Sequence, residues 1–151
     1  RDELKEAERL APRMSEVFQV KGELALAEQS FDAAVKDFDR AIALDRTNPI
    51  PFVDKGLALL QTSPMEAPQA RQLFEKALDA DAQCMVAHMR LAAIRLQMAP
   101  TFDEAAEVVS TLTKAAEKCR DREERAELCT VRAVAAAQSE AARELGMDSF
   151  N

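Results

Sequence analysis

Few residues in this chain have the chemistry of a catalytic site. Of its 151 residues one is a histidine, His88, and three are cysteines, Cys84, Cys119 and Cys129. Proton transfer needs a base within hydrogen-bond reach of the reacting group, and nucleophilic catalysis needs a serine or cysteine beside that base. No Ser-His-Asp arrangement can be assembled around His88, and no glycine-rich phosphate loop can be built from three scattered glycines. Glu123, Glu124 and Glu127 form a carboxylate cluster, but such runs on a charged helix face are ordinarily solvated. The cysteines contain no CxxC pair and leave one odd, so they read as reduced thiols, small and apolar, in a cytosol-facing compartment. Nothing in the inventory asks for a metal or a cofactor. The chain reads as a binder and not as an enzyme.

The elements that would carry binding residues are helical. Apolar content is 48%, glycine is scarce, and the helix formers Ala, Leu, Glu, Arg and Gln are many, which points to an all-α chain with enough material for a continuous core. The net charge of −7 argues against nucleic acid, whose phosphates require clustered Lys and Arg. At most it favours basic partners. No apolar run approaches the ~20 residues that cross a bilayer, and no signal-peptide layout opens the chain.

The stretch from Asn48 to Cys84 reads as two helices back to back, the first opened by Asn48 as N-cap with Pro49 at the first helical position. It carries Phe52-x2-Lys55-Gly56-x2-Leu59 and Ala70-x3-Phe74, with Ala82 closing the unit. The pattern recurs upstream as Phe18-x2-Lys21-Gly22-x2-Ala25, Ala34-x3-Phe38 and Ala41, with Arg46 at the closing position. Phe18 and Phe52 are 34 residues apart, and this pattern and period resemble the tetratricopeptide (TPR) repeat, whose last signature residue is a proline. The expected fold is therefore a TPR-type α-solenoid of helix-turn-helix repeats with a C-terminal capping helix.

The expected organisation begins at 1–14, the second helix of a preceding repeat with Leu4, Ala7 and Leu10 on one stripe and Pro12 ending it. The chain would thus start inside a repeat, leaving that stripe partly uncovered and open to self-association, with any anchor or targeting segment upstream. Repeats follow at 15–48 and 49–84, with Ser30 as the N-cap of the second helix of the former and two prolines and Ser63 setting an extended turn in the latter. A degenerate repeat covers 85–120, its first helix running from Met85 to Met98 with His88 at the aromatic position. Thr101-Phe102-Asp103-Glu104 reads as a capping box opening its second helix, with either Ala105 or Val108 at the first small position. A capping helix spans 121–146, opened by a second box at Asp121–Glu124 and closed by Gly146. Leu128, Val131, Val134 or Ala135, Ala142 and Leu145 form its apolar face, and 147–151 is a tail.

In stacked repeats the first helices line a groove, and repeat positions 2, 5, 9 and 12 point into it. In the first repeat these are Glu16, Gln19, Glu23 and Leu26, mostly polar. In the second they are Ile50, Val53, Leu57 and Leu60, and in the third Val86, Met89, Ala93 and Leu96. Apolar walls at positions that would otherwise face water suggest a groove for an apolar or amphipathic segment, unless the terminal helix folds back to fill it. Repeat domains that hold acidic chaperone tails place Lys and Asn, then Asn, then Lys and Arg at defined groove positions. Here those places hold Gln19 and Glu23, Asp54, then Val86 and Arg90, and only Arg90 fits, so such a clamp is not expected in this segment.

Asn48 to Gln61, Phe74 to Cys84 and the ending Ala135-Ala-Ala-Gln138-Ser-Glu140-Ala-Ala-Arg-Glu-Leu-Gly146 resemble the closing repeats of the Tom70 family of mitochondrial outer-membrane import receptors. The similarity covers roughly residues 15 to 148. It implies a non-catalytic, preprotein-binding segment on the cytosolic face of the outer membrane, with membrane attachment only through an upstream anchor. It also implies mitochondrial preproteins and other import-complex subunits as partners, and chaperones engaged only by upstream repeats. The residues expected to meet preprotein are Ile50, Val53, Leu57, Leu60, Val86, Met89, Arg90 and Leu96. The alternative is a generic TPR scaffold or co-chaperone module acting in protein assembly, its groove filled from within.

Overall fold

In the computed structural model the described residues are 2–97, 101–119 and 122–144, the side chains of Glu124, Ser139 and 141–144 excepted. All regular structure among them is helical. The helices are α1 (Asp2–Leu10), α2 (Ser15–Ala27), α3 (Phe31–Leu44), α4 (Ile50–Thr62), α5 (Ala67–Ala80), α6 (Met85–Gln97), α7 (Phe102–Lys118) and α8 (Arg122–Glu144), with one 3-10 turn at Pro64–Glu66. They form two compact units, Arg1–Ala82 and Gln83–Asn151.

The first unit is built from two antiparallel hairpins, α2/α3 and α4/α5, with α1 packed on α2. Glycine is what lets each hairpin close. A Cβ placed on Gly22 would lie 2.5 Å from Cε1 of Phe38, and one on Gly56 would lie 2.5 Å from Cε1 of Phe74. Each ring thus sits on bare backbone, and the alanines beside it, Ala34 and Ala41 or Ala70 and Ala77, are wholly buried. The repeat signature is a packing code: glycine and alanine supply the space and phenylalanine fills it.

Local chemistry ends these helices. After α2 the Ser30 N–H donates to Ala25 O at 2.8 Å and the Gln29 N–H to Leu26 O at 2.9 Å, a Schellman closure with Gln29 in the left-handed region at φ 59°. Ser30 occupies the N-cap position of α3 but its side chain makes no cap hydrogen bond. The capping expected of its hydroxyl is absent because the chain arrives from the Schellman turn with ψ 65°, short of extended geometry. Asn48 does cap α4: its Oδ1 accepts from the Ile50 N–H at 3.0 Å, and Pro49 precedes the helix in helical conformation. Ser63 Oγ accepts from the Met65 N–H at 3.2 Å, shaping the 3-10 turn that opens α5.

Electrostatics tie α1 to the hairpin behind it. Glu8 meets Lys21 Nζ at 2.8 Å and Arg40 at 3.7 Å, and Lys21 reaches Asp37 at 3.6 Å. The Lys21 hydrogen bond is the main reason the Glu8 carboxyl lies below its ordinary pKa. Lys21 and Arg40 each stand 5.4 Å from the centroid of the Phe18 ring. Of the expected α1 stripe, Leu4 and Ala7 are half-buried while Leu10 is 68% exposed.

In the second unit α7 packs against both α6 and α8, and α6 also meets α8. The expected capping box is present: the Thr101 N–H donates to the Glu104 carboxylate at 2.8 Å, and the Glu104 N–H returns to Thr101 Oγ1 at 3.4 Å. Ala105 and Val108, alternatives for one small position, are both buried, because residues three apart lie on one face of a helix. On α8, Leu128 and Ala135 are buried and Val131 is half-buried, but Val134 is 50% exposed and lies off the packed face. The box expected at Asp121 to Glu124, Met98, the Ala142 side chain, Leu145, the Gly146 closure and the tail lie outside the described residues.

Candidate peptide-binding face

The first helix of each hairpin decides what its groove positions can do. On α2, Glu16 and Glu23 are exposed, and Gln19 and Leu26 are half-buried. On α4, Val53 is buried and Ile50, Leu57 and Leu60 are half-buried. The α4 surface is therefore an apolar row with Val53 sunk and its flanks partly accessible. Within the same unit, α2 and α4 are in contact.

A hydrogen-bonded ladder joins these two helices. Asn48, while capping α4, donates from Nδ2 to Gln19 Oε1 at 3.0 Å. Gln19 Nε2 in turn donates to Glu23 Oε1 at 2.9 Å. The ladder links Gln19 and Glu23 of α2 to the entry of α4, and Glu23 takes part in it through the Gln19 amide, which brings no compensating charge. The combination suits a segment that offers an apolar side toward α4 and a cation or N–H donor toward Glu23.

Sequence reasoning read Asn48 for capping alone. The signal for its second role is the spacing of 29 residues between Gln19 and Asn48, which brings position 5 of one repeat to the entry of the next.

The equivalent positions on α6 are in another state. Met89 and Leu96 are 9% and 7% exposed and share a core cluster with Leu128 and Ala135 of α8. Val86 is packed against that cluster, Ala93 is half-buried, and Arg90 is exposed. His88 is half-buried, Cys84 and Cys119 are buried, and Cys129 is intermediate. Among the described residues no group of His, Cys, Asp and Glu is arranged to hold a metal ion, and no helix is long and apolar enough to cross a membrane.

No protein-family model matches the chain. Its structure is similar to that of yeast Tom70, with a TM-score of 0.76 and 26% identity, over 91% of this chain and 29% of that one. The chain thus spans less than a third of the Tom70 chain it matches. It is also similar to the TPR2B domain of yeast Sti1, solved as a complex with pHsp70, with a TM-score of 0.68 and 20% identity over 82% of this chain and 97% of that one. A further likeness is to the Yersinia enterocolitica type III secretion chaperone SycD, in complex with a peptide of the translocator YopD. There the TM-score is 0.65 at 20% identity, over 87% of this chain and 93% of that one. The chain has the TPR solenoid fold, and these neighbours are protein-binding scaffolds and chaperone modules.

Proposed function

We propose that this chain is a preprotein-binding segment of a mitochondrial outer-membrane import receptor of the Tom70 kind, acting by binding and not by catalysis. The observation that carries the binding reading is the apolar row on α4, where Ile50, Leu57 and Leu60 stay only half-buried beside a buried Val53. A soluble repeat that left such a row to water at positions facing its groove would gain by substituting polar residues, as α2 has done with Glu16 and Glu23. Similarity to Tom70 supports the choice of ligand, a targeting segment with an apolar face. On α6, Val86 and Arg90 remain accessible for contact, while Met89 and Leu96 would act through the shape of the core beneath them.

The ligand is held by burial of its apolar face on α4 and oriented by the carboxylate that the Asn48–Gln19 ladder positions. The experiment is a fluorescence anisotropy titration with a labelled peptide from a carrier-type preprotein and, in parallel, one ending in the acidic chaperone motif. Saturable binding of the first alone, lost in Leu57→Glu, is the expected result. Equal binding by the folded variant would sink the proposal.

A second reading, a TPR scaffold acting in protein assembly, is favoured by α6, whose Met89 and Leu96 are already buried in a cluster with residues of α7 and α8. Binding of neither peptide, with Leu57 unresponsive, would select it.

A further inference from the structure

The first unit contains a second recess, on the side built by α3 and α5. It has a volume of about 510 Å³, within the range of roughly 300–1,000 Å³ usual for ligand sites, and its apolar lining includes Ile42, Phe52 and Ala80. Three charged side chains on its rim, Arg46, Lys76 and Asp79, have no ion pair among the described residues. Asp39, also at the rim, is held by Lys55 Nζ at 2.6 Å and so is neutralised. The formal balance at the recess is one positive charge, in a chain whose total is −7.

The repeat pattern sharpens this. Arg46 stands where the TPR signature closes on proline, a residue that serves only to end the unit. The α3 helix ends at Leu44 without it, through the Asp45 N–H to Ala41 O and the Asp45 carboxylate that accepts from Thr47. The arginine is thus free of any role in closing the helix. In this unit Lys21, Lys55 and Arg71 meet carboxylates, whereas among the described residues Arg46 and Lys76, like Arg13 and Lys36, do not; what sets Arg46 and Lys76 apart is that both stand on the rim of one recess.

We propose that the recess between α3 and α5 is a second binding site, for a peptide segment that presents a carboxylate beside an apolar side chain. The carboxylate lies between Arg46 and Lys76, Arg46 supplying a fork that a carboxylate can bind bidentately, and the apolar side chain enters over Ile42 and Phe52. Asp79 repels a second acid, which limits the segment to one carboxylate at that end. The α2/α4 face, with its exposed Glu16 and Glu23, prefers the opposite charge. The two faces of one unit thus select peptides of opposite sign.

The test uses the full chain and labelled octapeptides, otherwise neutral, in which a leucine stands beside a single glutamate, glutamine or lysine. The glutamate peptide is expected to bind saturably. Its affinity should fall about tenfold or more in Arg46→Glu/Lys76→Glu, rise a few-fold in Asp79→Asn, and stay unchanged in Leu57→Glu. Circular dichroism checks the fold of each variant, and Arg46→Gln, a single change at an exposed turn, substitutes for the double variant if that one unfolds. Equal binding of the glutamine peptide, retention of binding in the charge variants, or absence of binding to the unaltered chain would each overturn the site. Loss of glutamate-peptide binding in Leu57→Glu would do so too, by moving it to the α4 face.

Discussion

The α4 and α6 helices hold the same place in consecutive repeats and carry similarly apolar residues at their groove positions, yet they meet different environments. On α6, Met89 and Leu96 are buried in one cluster with Leu128 and Ala135 of α8. On α4 Val53 alone of the four is buried, and Ile50, Leu57 and Leu60 stay half-buried, as do Val86 and Ala93 on α6. The difference does not lie in the helices themselves. An apolar residue at a groove position states that a partner is required; whether the chain supplies it is decided by what packs alongside. For α6 a helix of the same unit does so, and the unit closes on itself.

The largest effect should come from placing one carboxylate in each environment. Met89→Glu buries a charge among alanines, leucines and methionines, and about 3 kcal/mol or more of stability should be lost, enough to unfold a marginal unit. Leu57→Glu places the same group where water reaches it, and should cost about 1 kcal/mol or less. Urea denaturation of the two variants side by side measures this. Similar losses would mean that the two faces are equally closed, and the contrast would be void.

Next in size is removal of the cover. Leu128 is wholly buried in the α6–α8 cluster, so Leu128→Ala should cost about 2–4 kcal/mol. A cost below about 1 kcal/mol would show that α8 rests on α6 and α7 without being part of their core. In that case the α6 face would be available to a partner in the same sense as the α4 face.

The helices were legible in the sequence, and the state of their faces was not. Helix limits follow from local chemistry: the Thr101–Glu104 box, Asn48 before Pro49, and prolines at positions 12, 64 and 68 each act within a few residues. Repeat packing was legible too, because Gly22 with Phe38 and Gly56 with Phe74 recur at a fixed spacing. Met89 is buried in a cluster that draws on α7 and on α8, whose Leu128 lies 39 residues downstream, and no local pattern encodes which face of α6 those helices cover. The Asn48–Gln19–Glu23 ladder escaped notice for the same reason. Ser30 does stand at the N-cap position of α3, but its side chain makes no cap hydrogen bond where the Schellman turn delivers the chain at ψ 65°.

The glycine code offers a third, smaller test, confined to the unit that carries the open face. Gly56→Ala puts a methyl 2.5 Å from a buried ring atom of Phe74, an overlap costing about 1–3 kcal/mol, while alanine returns about 1 kcal/mol of helix propensity. The expected result is a net loss of about 1 kcal/mol. In Phe74→Leu, where the ring is gone, the same change should become neutral or stabilising. Additive effects in that cycle would show that the ring does not rest on the glycine. Because Gly56 lies on α4 opposite its groove row, peptide affinity should follow stability only weakly, whereas Leu57→Glu should abolish binding at small cost in stability.

The smallest expected effect is a dependence on pH, and it too belongs to the first unit. Glu8 has a carboxyl pKa lowered chiefly by its hydrogen bond from Lys21, with Arg40 adding a weaker attraction. A carboxylate whose folded pKa lies below its unfolded value adds stability above the unfolded pKa and loses it as pH falls through the folded one. Glu8→Gln should therefore lower the denaturation midpoint slightly at neutral pH. The difference from the unaltered chain should shrink through the carboxylate range and vanish below it. Because the pair is partly solvated, added salt should reduce the difference at neutral pH. A gap that persists in strong acid would mean that Glu8 acts through the packing of its side chain between α1 and α2, and that charge plays no part in holding α1 to the hairpin.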